Sequence, residues 1–428
     1  MAGWNRSRTV AFILAGGVGK RLSLLTRFRA KPAVPFAGRY RIIDFTLTNC
    51  VRSDISEIYM LTQYISRSLV RHLGIGKPWD LDRIKGGLHI LHPHLGRVGA
   101  DWYQGTADAF YQNIPVLESL EHELILILSG DHIYRADYAE LIDFHLKAGL
   151  PASVAVTEVP RSLCREFGIA TVGGGGEIRK FEEKPLRTKS NLASMGIYVF
   201  NRKFLISKLT SLKSRIDDLD FGKHVLPHLV AEGSISAFRF NDYWLDIGTL
   251  KSYFTSSLAL LGTRPRLKLS DHKQPVLTVP DDYPPGVVSR SAHIRRSLVS
   301  NGCVIGGEVR SSILSPGVVV EKGAVVENSI IFHDCVIKKG ARVRNAVLDK
   351  MVVVGRGTSI GYGKATVPNV LQPAYLDFGV TLVGRETKIP GGIKIGSNCL
   401  VCGSRKSGSI PRRDIADGSN YLARDVRF

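Results

Sequence analysis

Residues 297–361 constrain the fold more tightly than any other part of the chain. The segments SLVSNGCVIGGEVR, SILSPGVVVEKGAVVEN, SIIFHDCVIKKGARVRN and AVLDKMVVVGRGTSIG begin 15, 17 and 17 residues apart. Within each, an apolar residue recurs about every sixth position, with Gly, Asn, Asp or Lys between. Three six-residue sides make one coil, and a coil can bury its Val, Ile and Leu only by stacking on the next, so the pattern predicts a left-handed parallel β-helix. The pattern returns in GGIKIGSNCLVCG after an interruption around Val367 to Leu376. It specifies architecture and says almost nothing about chemistry.

The preceding chain has another texture. Short apolar runs, VAFIL, ISEIYML, ELILILSGD, ASVAVTEV and SMGIYVF, alternate with helix-like segments up to about Gly262, which predicts an α/β domain with a mostly parallel sheet. One such segment, Gly105 to Glu123, reads as a helix capped by Thr106 with Phe110, Ile114 and Leu117 on its apolar face. The run Leu124 to Leu128 suits a strand buried on both faces, and its carboxyl end carries Asp131, where open α/β sheets bind ligands. Residues 263–286 are rich in proline and lack a sustained period. The expected division is therefore a catalytic domain at 1–262, a linker at 263–286 and the β-helix at 287–428.

In AFILAGGVGKRL, Ala11 to Leu22, an apolar run ends in Gly16, Gly17 and Gly19 followed by Lys20 and Arg21. Leu22 breaks the dinucleotide fingerprint, while Leu14 and Arg21 break the P-loop pattern. Two readings stay open, a phosphate-holding loop of a third kind and a strand-to-helix turn with surface cations. A triphosphate would bring a divalent ion, for which Asp131 and Asp246, the latter set among Trp244, Leu245 and Ile247, are candidates. Each could equally be a helix cap or a surface turn. Glu183 and Lys184 in KFEEKP could bind a sugar and its phosphate, or form a solvated charge run.

Composition narrows the partners. The net charge is +20, and residues 286–428 hold 21 Lys and Arg against 10 Asp and Glu. An anionic partner follows, yet no aromatic-rich recognition motif interleaves with the cations, which favours phosphorylated small molecules over a specific nucleic acid. Six cysteines are sparse for 428 residues and read as reduced thiols; Cys399 and Cys402 have CxxC spacing, either a metal or redox pair or two small residues of a late strand. No apolar run has the ~20 residues that span a bilayer, and no signal-peptide pattern opens the chain, so the expected address is the cytoplasm.

The motifs ILAGGVGKRL, RAKPAVPFAGRYRIIDFTLTNC, DWYQGTADA, SGDHIY, FGIATV, KFEEKP, SMGIYVF, DFGKHVLPHL and YWLDIGT stand in an order and spacing that resembles the bacterial glucose-1-phosphate adenylyltransferase (ADP-glucose pyrophosphorylase) family. The likeness covers essentially the whole chain. It implies a Rossmann-like nucleotidyltransferase domain that joins ATP and α-D-glucose 1-phosphate into ADP-glucose and pyrophosphate, for glycogen or α-glucan synthesis. By motif, it implies that Asp131 and Asp246 hold Mg²⁺. Leu14, Ala15, Gly16, Gly17 and Gly19 would face the nucleotide, with Arg21 and Lys31 balancing the triphosphate and Gln104 and Gly105 near the adenine. Tyr103, Gly168, Glu183, Lys184 and Ser194 would contact glucose 1-phosphate, with Lys184 on its phosphate. Asp131, Lys184 and Arg21 would be the catalytic set. A homotetramer with an anionic effector is also implied.

Three positions depart from the family pattern. Lys20 stands where Thr is common, His224 where Asp is common, and Phe28 where some members have a Lys that binds a phosphorylated activator. A relative using UTP or dTTP, and a non-catalytic regulatory subunit of the same fold, remain as alternatives. The latter are expected to have lost the Asp or Lys that this chain keeps at 131 and 184.

Overall fold

The structure is a computed structural model that describes residues 8–17, 19–93, 102–269, 271, 273–404 and 406–425. Two compact units divide the chain, one of Met1–Gly17 and Ile43–Leu245, the other of Val18–Ile42 and Asp246–Phe428. Residues 18–42 and 246–262, which the sequence groups with the first domain, therefore pack with the C-terminal unit. Val18 of ILAGGVGKRL, Asp101 of the DWYQGTADA motif and Arg405 lie outside the described residues.

The first unit is built on a nine-stranded sheet. Its strands are β1 (Thr9–Leu14), β2 (Glu57–Leu61), β3 (Gly87–Leu91), β4 (Leu124–Ser129), β6 (Ala152–Glu158), β7 (Gly168–Val172), β8 (Ile178–Glu183), β9 (Leu192–Asn201) and β10 (Ile235–Arg239). A separate two-stranded sheet pairs β5 (His132–Tyr134) with β11 (Trp244–Asp246). The main order is β8-β7-β9-β4-β1-β2-β3, with β6 on β9 and β10 on β6. Strands β4, β1, β2 and β3 run parallel, whereas β9 lies antiparallel to β4, β6 and β7.

Alternation along the central strands explains their unbroken apolar composition. Val10 and Phe12 of β1 and Ile125 and Ile127 of β4 enter one core layer, while Ala11, Ile13, Leu126 and Leu128 are equally buried on the opposite face. The predicted helix after Gly105 forms as two short pieces, Asp108–Tyr111 and Ile114–Ser119, because Pro115 restarts the helix at its first turn. Thr106 does not cap it. Its hydroxyl donates to Asp220 Oδ2 at 2.9 Å and accepts from Phe221 N at 3.0 Å, so a tertiary partner displaces the local one.

The second unit contains the expected left-handed parallel β-helix. Three parallel sheets of six, six and seven strands form its faces, and successive coils contribute one strand to each. Leu314, Ile331, Leu348 and Val383 make one in-register column of the core. At the corner after the second face, Arg296, Ser311, Asn328 and Asn345 adopt φ of +48°, +44°, +46° and +45°. No β-branched residue occupies these left-handed positions, in keeping with steric cost there. The interruption is a loop between Ile360 and Thr381, tied down by buried Asn369, whose Nδ2 donates to Asn398 O and Gly418 O at 2.8 and 3.2 Å.

The segment 18–42 belongs to this unit through a buried ion pair. Arg29 Nη1 and Nη2 donate to Asp349 Oδ2 and Oδ1 at 3.0 and 2.8 Å, with side-chain exposures of 4% and 1%. Cys399 and Cys402 flank and end the strand Leu400–Cys402, and both are buried. Burial pushes the Cys399 thiol up to about 11, which favours the late-strand reading over a reactive thiolate. No described helix is long and apolar enough to cross a membrane.

Candidate active site

In the first unit, the Gly-rich turn grows directly from the sheet. Ala15 N donates to Leu61 O at 2.9 Å and Gly130 N to Leu14 O at 3.0 Å, which holds Leu14 and Ala15 as an extension of β1. A Cβ on Gly16 would come within 3.2 Å of Gln63 Cβ, whereas one on Gly17 would meet nothing within 4 Å. Gln63 also donates from Nε2 to Tyr103 O at 3.2 Å, and the Tyr103 hydroxyl accepts from Asn113 Nδ2 at 3.1 Å. Gln63, absent from the sequence candidates, thus joins the loop to Tyr103. Burial raises the Tyr103 phenol, which keeps it a neutral hydrogen-bonding group.

Gln104 N donates to Asp108 Oδ2 at 2.9 Å. At Gly105 the backbone runs so close to Leu219 that a Cβ would lie 2.3 Å from the Leu219 carbonyl oxygen. No larger residue fits there without moving the chain.

Around Glu183 the first unit leaves deliberate space. A Cβ on Gly168 would be 2.9 Å from Glu183 Oε2, and a Cβ on Gly222 would be 2.5 Å from the same oxygen. Two glycines therefore shape the carboxylate's seat, and Gly222 was not among the sequence candidates. Lys184 follows with φ +46°, a left-handed conformation for a residue with a long side chain, held by its N–H donating to Phe167 O at 3.0 Å. Such strain persists where surrounding structure over-determines it. Lys184 Nζ lies 3.3 Å from Glu183 Oε1 and is more than half exposed. Ser194 sits where β9 slips register against β6, and its hydroxyl accepts from Gly196 N at 3.3 Å.

Asp131 ends the turn after β4, partly exposed, and accepts from the Ser129 hydroxyl. His132 Nε2 is 3.5 Å from Asp131 Oδ1, and its ring packs edge-on against Trp244 of β11 at 5.1 Å. Asp246 is the last residue of β11.

In the second unit, Gly19 has φ +66°, and the turn after it is closed by Thr26, whose hydroxyl donates to Gly19 O at 2.9 Å. Asp246 Oδ1 accepts from Lys31 Nζ at 3.0 Å, with both side chains mostly buried. A Cβ on Gly248 would lie 2.9 Å from Asp246 Oδ2 and 3.1 Å from Arg21 Nη2, so this glycine lets the guanidinium and the carboxylate approach. Arg21, Lys31 and Asp246 thus form one charged group within the unit. Lys20 is exposed at the start of the turn. His224 has a local role in the first unit, its Nδ1 accepting from Asp220 N at 3.1 Å. Phe28 lies beneath the Arg27 guanidinium, 5.2 Å from ring centroid to Cζ.

A separate cationic group surrounds Lys350 in the second unit. Burial first, then Arg41, Arg29 and Arg385, pull its ammonium down to about 8, against an opposing pull from Asp349.

The carboxylates of Asp131, in the turn after β4, and Asp246, at the end of β11, are hard oxygen donors, each with one oxygen engaged by a hydrogen-bond donor. That donor chemistry fits a hard divalent cation that keeps water and phosphate oxygens as its other ligands.

Residues 10–262 match the nucleotidyl transferase family, and residues 285–371 match the GlmU-like C-terminal hexapeptide family. The glucose-1-phosphate adenylyltransferase of Thermotoga neapolitana is 46% identical over 419 residues, covering 97% of this chain and 99% of that protein. Its namesakes from Acetivibrio thermocellus and Thermomicrobium roseum are 40% and 44% identical, over 98% and 96% of this chain and 98% and 97% of their own.

Proposed function

The chain belongs to the glucose-1-phosphate adenylyltransferase family, and from that membership we propose how its own residues carry the reaction. The enzyme is a nucleotidyltransferase: ATP and α-D-glucose 1-phosphate give ADP-glucose and pyrophosphate, a donor for glycogen or related α-glucans. A phosphate oxygen of the sugar forms a bond to the α-phosphorus of ATP while the bond to the bridging oxygen breaks and pyrophosphate leaves. Both reactants are anions. The protein therefore has to offset their repulsion, align the attack and balance charge on the departing group.

Lys184 neutralises the sugar phosphate as a compact point charge. Glu183, seated by Gly168 and Gly222, accepts hydroxyl protons of the glucose, and Tyr103 and Ser194 complete its hydrogen bonding. Leu14 to Gly17 and Gly19 present backbone to the nucleotide, Gln104 and Gly105 border the adenine, and Arg21 and Lys31 balance the triphosphate. Enzymes of this family use a divalent metal, and we take it to be Mg²⁺ held by Asp131 and Asp246; when bound it shields the phosphate charges. The observation that best supports this assignment is the seat of Glu183 and Lys184, two glycines and a strained backbone converging on an acid and a cation. The test is pyrophosphate release with glucose 1-phosphate and ATP, UTP or dTTP in turn. ATP is expected to be preferred, and Lys184→Ala to raise the KM for glucose 1-phosphate by roughly tenfold or more. Equal rates with UTP or dTTP would return the assignment to a broader nucleotidyltransferase.

For the effector, we infer that a phosphorylated anion binds at Lys350, Arg41 and Arg385, beside the buried Arg29–Asp349 pair, rather than at the position Phe28 occupies. Lys350 must be protonated to contribute, so the affinity of a hexose bisphosphate should fall as pH rises through about 8, and Lys350→Met should flatten that profile. The same depressed ammonium gives a stability signature of the opposite sign. Between about 8 and 10.5 the unfolded chain keeps the proton that the native chain has lost, so this group makes stability rise with pH over that window. A pH-independent affinity in the wild type would remove Lys350 from the site. The assembly we propose is a homotetramer, for which exposed Val287 and Val288 on the first coil and Val304 on the second offer apolar contact; light scattering on the purified chain tests it.

A further inference from the structure

The β-helix also carries a cavity of about 570 Å³. Val353, Ile389 and Ile410 form part of its lining. Lys338, Arg356, Lys388 and Arg412 also line it, and no carboxylate residue does. None of the four makes an ion pair among the described residues. None of them is part of the Lys350 group or of the charged group around Asp246.

The arrangement of these cations follows from the coil. The strand Val336–Ile337 pairs in parallel with Val353–Val354, which pairs with Lys388–Ile389, and Lys388 bridges in parallel to Ser409. Lys338, Arg356, Lys388 and Arg412 therefore come one per rung. Parallel neighbours lie about 4.8 Å apart, so the four rungs span roughly 14 Å. The cations are staggered along the coils, Lys388 level with Val353 and Lys338 level with Gly355, but they share one cavity whose lining holds no carboxylate, so they repel one another and are relieved by a multiply charged anion. A lone phosphate would meet one or two of the cations, whereas a ligand with several phosphoryl groups would bring more of the long Lys and Arg side chains within reach. The apolar lining gives such a ligand's carbon skeleton a surface to lie on, and the volume is that of a small-molecule site.

We propose that this ladder binds a soluble small molecule bearing two or more phosphoryl groups, at a site separate from the substrates and from Lys350. The claim stands on the coil geometry and does not require the adenylyltransferase assignment. Titration calorimetry of the full chain with tripolyphosphate and, at equal ionic strength, inorganic phosphate tests it. In the Arg356→Ser/Lys388→Ser variant, tripolyphosphate is expected to lose one class of site or to weaken there by about tenfold or more, since two charge-assisted contacts are gone. Inorganic phosphate should bind more weakly than tripolyphosphate in the wild type. The charge-keeping Arg356→Lys/Lys388→Arg variant should retain binding, and all three proteins should melt alike and show the same adenylyl transfer without added probe. Identical tripolyphosphate isotherms in the wild type and the Ser variant would overturn the proposal. So would a short DNA duplex that displaces tripolyphosphate from the ladder at lower concentration than any small phosphate, because the surface would then be reading a nucleic-acid backbone.

Discussion

Asp131→Asn is expected to lower adenylyl transfer by roughly a thousandfold while leaving the fold intact. The substitution keeps the shape of the side chain and its place after β4, and the amide can still meet the Ser129 hydroxyl. It removes the negative charge. A hard divalent cation binds an anionic oxygen far better than a neutral amide, so the residue would fail in the one property the proposed role needs. The KM for glucose 1-phosphate should change much less, since Lys184 and Glu183 make the sugar contacts in this reading. Pyrophosphate release at saturating ATP, with circular dichroism and a thermal melt as controls, measures the effect. Activity within about threefold of wild type would dismiss Asp131 as a metal ligand.

The largest effect on stability is expected at Arg29. Both of its terminal nitrogens meet Asp349, and Nη1 also donates to Leu25 O at 3.1 Å. Arg29→Ala strands a carboxylate that is 1% exposed, and breaking a buried pair in this way costs about 3–5 kcal/mol. For a unit of this size that corresponds to a loss of about 10 °C in the melting temperature of the C-terminal unit. The double variant Arg29→Met/Asp349→Leu discriminates the cause, because it removes both charges and keeps most of the volume. It should recover much of the loss, as apolar replacements of buried pairs often do. If the single and double variants melt alike, the packing of the side chain and not the stranded charge explains the cost.

These two residues also mark what could and could not be read from the sequence. The place of Asp131 just past a buried strand was legible because a continuous apolar run, Leu124 to Leu128, precedes it. The β-helix was legible because its segments repeat at 15 and 17 residues with an apolar residue about every sixth position, the pattern of a three-sided coil. Arg29 was not, since its partner lies 320 residues away and nothing local in TRFRAKP announces it. The grouping of residues 18–42 with the C-terminal unit was hidden for the same reason. Thr106 misled as a cap because a tertiary hydrogen bond to Asp220 outcompetes the local one. Gly222 and Gly248 lie within the motifs DFGKHVLPHL and YWLDIGT, but only the atoms that a Cβ would strike show why they are glycine.

The buried pair has a consequence for how the C-terminal unit would govern catalysis. Arg29 faces both the Lys350 group and Asp349, and Lys31, two residues on, holds Asp246. In the proposed reading, a single short stretch of backbone would answer to two ligands. If an anion at Lys350 shifts that stretch toward the arrangement the triphosphate prefers, reciprocity requires ATP to tighten the anion by the same factor, with no third element as intermediary. Measured as a thermodynamic cycle, the two couplings must be equal. In this chain the effector's message would travel along covalent bonds, over a distance of two residues.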